Sequence, residues 1–541
     1  MKMLIVLLNL LWAWPGFAAA RASAFPAADA AVKTRLHEVL PGIEGFFYLM
    51  PVLILILGAF VCLLSGVFRG RFEEPHLPSY GIGVVSSATS ALVPLVFWPS
   101  SELAIFGNGV LLDDLAKLGF VVIALGTLFT ILMASLTNTG RLLLRSDFVS
   151  LLLFASAGMM TMVAAGEFLT FFISLEIMSL SLYILVGYQR EDSRSLEAAV
   201  KYFILGASAS GLILMGWALC YLHTGSLSFA SLGTLRMSVS ETPLAVVGGV
   251  LLFSGLAFKL AMAPFHSWAP DVYQAAHSTL TGYMATLVKF SVALVALRIL
   301  GWGFGHGSES MVMFFWIIGA LSIAVGSLFG LVHNSVKRVL AYSSVANAGY
   351  FCLAFAALAK DPGSLAAKEA LVAYSVIYVL LSLGAFAVIA WFEEDNREDL
   401  LKEDLAGVGK RAPFASVCLT IFLLGLAGIP PLAGFFGKFM LIGSAVSANL
   451  IGLAVILVLF SCLSLYYYLA ILVEVWLKPE SRHTIDVVKG GDFAHLPRLV
   501  GLLAIVSLVV GIFGPRWAQS INFRMATDQS LVQTHPDQGQ K

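Results

Sequence analysis

Four ionisable residues stand inside long apolar runs: Glu176 in FFISLEIMSLSLYIL, Lys259 in FKLAMAPFHSWAPDVY, Lys289 in YMATLVKFSVAL and Lys438 in LAGIPPLAGFFGKFML. A charge at the centre of an apolar helix costs roughly 2.5 to 3.5 kcal/mol on insertion scales, so each marks a functional site by default. A carboxylate and an amine close together in a low dielectric stabilise each other's charged forms, whereas burial or a neighbouring like charge drives the proton off an amine. Moving one partner changes the proton affinity of the other. With Glu176 near Lys259 and Lys289 beyond, parting the acid from the first lysine favours release toward the second, which is a proton relay built from coupled titrations.

Each residue also has a plainer reading. Glu176 and Lys259 could neutralise one another merely to lock two helices together, and Lys438 could cap the C-terminal end of a half-helix. His266, Lys337 and Asn347 are candidates for taking up protons on the inner side. For His266, and for Asp271 beside it, the alternative is bonding the loop to neighbouring backbone; for the pair Lys337 and Arg338 it is anchoring the inner end of a helix. His277 and His333 read as interfacial residues, and Arg298, near the outer end of its helix, reads as a snorkelling side chain.

These residues must be carried by membrane helices. Of the 541 residues 59% are apolar and 12% charged, about half the charge fraction of a soluble protein. Apolar runs of about 20 residues, the length that crosses a hydrocarbon core, recur along the chain. About 14 candidate helices emerge, an all-α polytopic membrane protein. The formal net charge is zero, with no basic stripe for nucleic acid. The five cysteines stand singly in apolar runs without metal-ligand spacing, which predicts no metal or redox cofactor in this chain.

Helices 7 and 12 each hold a proline and a lysine, Pro264 with Lys259 and Pro430–Pro431 with Lys438, and lie five helices apart. An odd offset predicts two inverted five-helix repeats, helices 4 to 8 and 9 to 13, with helices 7 and 12 broken. Residues 1–24 have the layout of a signal peptide, and an uncleaved extra helix is the alternative. A polar segment follows over 25–45, helices 1 to 3 over 46–136, the first repeat over 147–300 and the second over 311–477. The last helix and a tail occupy 478–541. Lys and Arg gather in alternate loops, which predicts both mature termini on the outer side.

Four strings carry a resemblance: FKLAMAPFHSWAPDVYQAA, LVKFSVALVALR, NSVKRVLAYSSVANAGY and GIPPLAGFFGKF. They resemble the signature segments of the proton-translocating antiporter-like subunits shared by respiratory NADH:quinone oxidoreductase (complex I), related hydrogenases and multisubunit sodium/proton antiporters. The likeness runs from about residue 47 to 476. SLEIMSLSLYIL and EAAVKYFILGASASGLIL look more like the N-type branch of complex I than the L and M types. The resemblance implies that Glu176 and Lys259 form an ion pair whose opening gates the site, that Lys289 is the central relay lysine, and that Lys438 passes protons outward. It implies energy from quinone reduction elsewhere, with NADH, quinone, flavin and iron–sulfur clusters confined to other subunits. The partners it implies are other membrane-arm subunits, in a bacterial plasma (inner) membrane. The chain departs from the family pattern at Ala275–Thr279, where Gly-Ala-Pro is usual, and at Asn347, where a titratable or glutamine side chain is common, so water must carry the proton there. A subunit of a sodium/proton antiporter or of a membrane-bound hydrogenase would use the same residues; a non-conducting structural subunit would have no need of four membrane charges.

Overall fold

The computed structural model describes residues 43–69, 77–99, 102–137, 145–233, 235, 242–393, 399–481, 484–485 and 496–520. The expected leader and the tail beyond residue 520 lie outside the described residues. Among those described, twelve helices are long and apolar enough to cross a membrane. They are α1 (Met50–Arg69), α2 (Leu77–Val96), α3 (Asp114–Leu136), α4 (Ser146–Val163), α5 (Phe168–Val186), α6 (Ser193–Thr224), α9 (Ser278–Gly301), α10 (Glu309–Val332), α11 (Val336–Lys360), α12 (Leu365–Phe392), α15 (Ile451–Trp476) and α16 (Leu496–Ser520). The seventh expected helix, α7 (Pro243–Lys259), stops short of Pro264 and is followed by a short helix, α8 (Trp268–Ala275), where a loop was expected; the twelfth is in two pieces, α13 (Pro413–Ala427) and α14 (Ala433–Ser447). A short antiparallel pair, β1 (Leu103–Ile105) and β2 (Val110–Leu112), joins α2 to α3. Nothing in the periodicity had pointed to it.

Helices α9, α11 and α12 are enclosed by the rest, and the outer helices turn apolar rows outward, such as Leu169, Ile173, Ile177, Leu180 and Ile184 of α5. A membrane supplies the solvent those rows need.

The two breaks close alike. Past α7, Ala261 takes a left-handed conformation (φ 56°) and the Met262 N–H reaches back to the Ala257 carbonyl at 2.8 Å. Past α13, Gly428 (φ 87°) does the same, with the Ile429 N–H on the Leu424 carbonyl at 3.1 Å. Glycine takes that conformation freely, whereas alanine at 261 gives up roughly 1–2 kcal/mol. Proline beyond each turn cannot continue a helix. Backbone groups freed inside a membrane protein must find partners. Trp268 Nε1 donates to the Phe258 carbonyl at 3.1 Å, and Ser322 Oγ accepts from the Ala263 N–H at 2.9 Å.

Candidate functional site

Glu176, Ser179 and Tyr183 follow at i, i+3 and i+7 on α5 and so share one face, beside its outward apolar row. Lys259, the last residue of α7, is 2% exposed. Its ammonium donates to Ser179 Oγ at 2.8 Å and Tyr183 Oη at 3.0 Å. Gly206 of α6 leaves room for that phenol, since a Cβ there would collide with the hydroxyl. The half-buried Glu176 accepts from Ser210 Oγ of α6 at 2.6 Å. The expected ion pair is therefore separated in this structure. The ammonium rests on Ser179, about one helical turn or ~5 Å along α5 from the acid, and within reach of its field.

Lys289 is fully buried in α9, directly after a π-helical turn over Met284–Val288, a distortion often found at functional sites. Its ammonium donates to the Ser344 carbonyl of α11 at 2.7 Å, and Tyr378 Oη of α12 donates to Ser344 Oγ at 2.9 Å. From there α11 presents a polar row, Ser343, Asn347 and Tyr350. Asn347 donates to the Ser343 carbonyl at 2.7 Å and accepts from Tyr374 Oη of α12, and Ser343 Oγ bonds Tyr468 Oη of α15. Asn347 thus spaces hydroxyls rather than titrating. At the far end Lys438 of α14 lies 5.1 Å from the Tyr350 ring centroid and donates to Ser461 Oγ at 2.8 Å. It also donates to the Leu426 and Ala427 carbonyls, each at 2.9 Å, which are the last of α13. Lys438 therefore does cap a half-helix, and it does so from the end of the polar row. All these groups are buried except the half-buried Ser461.

The inner end differs from the sequence reading. Lys337 is not an exposed anchor; it is 5% exposed and paired with Glu393, which follows α12, at 2.8 Å. Glu393 also accepts from Ser278 Oγ at 2.7 Å and lies 3.6 Å from His277 Nε2. Burial pushes the Glu393 carboxyl up, but Lys337 and His277 outweigh it, helped by hydrogen bonds from Lys337 and Ser278. The carboxyl is held at about 2. Glu393 was missed because FEEDNRED reads as a solvated loop, and His277 is buried rather than interfacial. Asp271 is bonded, to Arg338 at 2.7 Å and Lys201 at 3.1 Å. His266, in the α7–α8 break, keeps a buried Nδ1 without a hydrogen-bond partner. His333 bonds the Phe329 carbonyl at 2.9 Å.

Arg298 corrects another expectation. It does not snorkel: wholly buried, it forms a two-pronged pair with Asp113 at 2.8 and 2.9 Å and donates to the Val163 carbonyl at 3.0 Å. Asp113 caps α3, so Arg298 ties α9 to the ends of α3 and α4. Among the described residues, no three His, Cys, Asp or Glu side chains gather where they would hold a metal ion.

Residues 165–464 match the family described as NADH:quinone oxidoreductase/Mrp antiporter, TM. The NADH-quinone oxidoreductase subunit N of Trichlorobacter lovleyi is 34% identical over 434 residues, covering 80% of this chain and 87% of its own. That of Maricaulis maris is 35% identical over 465 residues, covering 85% and 94%. A chain of respiratory complex I from Thermus thermophilus superposes with a TM-score of 0.73 at 30% identity, over 87% of this chain and 98% of that one. A chain of the Mrp complex from Dietzia sp. shares the fold, with a TM-score of 0.72 at 21% identity, over 88% and 96%.

Proposed function

The chain belongs to the NADH:quinone oxidoreductase/Mrp antiporter transmembrane family, in its complex I subunit N branch, and we propose how its own residues move protons. Protons are taken up at the inner end, where Glu393, His277 and Lys337 meet, and at His266 in the α7–α8 break. They gather on Lys289, cross along the α11 row and leave from Lys438 to the outer side. Glu176 and Lys259 form the switch. With Lys259 resting on Ser179 and Tyr183 the pair is open; sliding the ammonium about one turn toward Glu176 closes it and alters the field at Lys289. Quinone reduction in partner subunits drives that movement. The chain works in a bacterial inner membrane with both termini outside, and the two inverted repeats each supply one lysine at a helix break.

The observation that carries this reading is the enclosed succession of lysines, hydroxyls and amide from Lys289 to Lys438. A structural subunit would have no use for such a row, since its buried polar groups add desolvation costs without need. Lys259→Met and Glu176→Gln in the assembled complex test the switch. Proton pumping is expected to fall in both while the complex stays assembled, and unchanged pumping in both would overturn the reading.

A further inference from the structure

Away from the proton path, the start of α10 and the end of α11 enclose an open cleft of about 570 Å³ whose lining includes Ser308, Glu309, Met313, Trp316 and Lys360. Ser308 is 3% exposed, yet its hydroxyl has no hydrogen-bond partner. It precedes α10, where a serine ordinarily caps its own helix, and it makes no such cap. The first amides of α10 therefore lack that acceptor and carry the positive end of a 24-residue helix. Lys360 is exposed at the same place and uses one N–H on the Ala448 carbonyl at 2.8 Å. Glu309 is exposed beside it with the opposite charge. From the cleft an outward apolar row, Met313, Ile317 and Leu321, runs along α10 toward its middle, and the half-buried Trp316 lines the cleft beside it.

We propose that this cleft binds a phospholipid whose headgroup carries a phosphate, a primary ammonium and no further anion, that is, a phosphatidylethanolamine. The phosphate accepts from Ser308, the first amides of α10 and Lys360. The ammonium donates to Glu309. One acyl chain lies on the Met313 row. The charge pattern makes the choice: a purely anionic headgroup would make the same phosphate contacts but offer Glu309 no cation, and a choline headgroup offers Glu309 no N–H. The site stands apart from the proton pathway and does not depend on it.

Native mass spectrometry of the full chain, released from nanodiscs holding phosphatidylethanolamine and phosphatidylglycerol in equal amounts, tests this. The wild type is expected to retain phosphatidylethanolamine in preference, by about 3- to 5-fold for one partly exposed charge contact. Glu309→Gln is expected to bring the ratio close to one. Ser308→Ala, which removes a hydroxyl with no protein partner and so leaves folding intact, is expected to lower total lipid retained. Equal retention of both lipids by the wild type, or a preference for phosphatidylglycerol, overturns the proposal, as does a ratio unchanged by Glu309→Gln.

Discussion

Replacing Glu393 by Gln keeps a side chain that Ser278 can still bond but removes the charge that answers Lys337. The carboxyl sits at about 2 against an ordinary 4.5, a difference equivalent to roughly 3 kcal/mol of stabilisation. Breaking one side of a buried pair elsewhere costs a similar ~3–5 kcal/mol, because the other charge stays buried alone. The sign follows from a depressed value: the stabilisation is complete above about pH 4.5 and is lost as pH falls through about 2. Glu393→Gln is therefore expected to cost stability throughout pH 5 to 8, where the carboxylate it replaces is ionised. The assay is a double-mutant cycle with Lys337→Met, reading unfolding free energy of the detergent-solubilised chain. Each single variant is expected to lose about 2–3 kcal/mol, and the double variant to recover most of it, a coupling of about 2–3 kcal/mol. A coupling within about 0.5 kcal/mol of zero would refute the pairing.

Three further outcomes follow from the geometry. Asp113→Asn is expected to destabilise the chain by about 3–5 kcal/mol by leaving Arg298 buried alone, with Asp113→Leu/Arg298→Met recovering part of it in thermal melts. Tyr468→Phe removes the hydroxyl bonded to Ser343, and proton pumping by the assembled complex is expected to drop while its NADH oxidation in detergent persists. Gly428→Ala forces alanine to a φ of 87° and sets a Cβ 3.0 Å from Lys438 Cδ. It is expected to cost about 1–2 kcal/mol in melts and to slow pumping, whereas Gly211→Ala, facing open space, leaves pumping unchanged.

The buried amines were legible because a lysine among leucines and phenylalanines has no inexpensive place to go. The breaks were legible from Pro264, Pro430 and Pro431, which remove donors that a membrane cannot replace. Their extent was not: the broken helix expected around Pro430–Pro431 is α13 and α14, ending at Ala427 and resuming at Ala433. That end depends on Gly428 turning left-handed and on Lys438 satisfying carbonyls eleven and twelve residues before it. Arg298 looked like a snorkelling cation because its partner, Asp113, lies 185 residues away in sequence. Glu393 hid among neighbouring charges for the same reason. Pairing between distant segments, rather than local pattern, decides whether a charge faces water or a partner.

The most direct test of the relay counts protons moved per NADH oxidised in proteoliposomes holding the assembled complex with Lys289→Met. In the proposed path Lys289 stands between the inner cluster and the α11 row, so fewer protons per NADH are predicted. An unchanged count, with the complex intact, would contradict a path through Lys289.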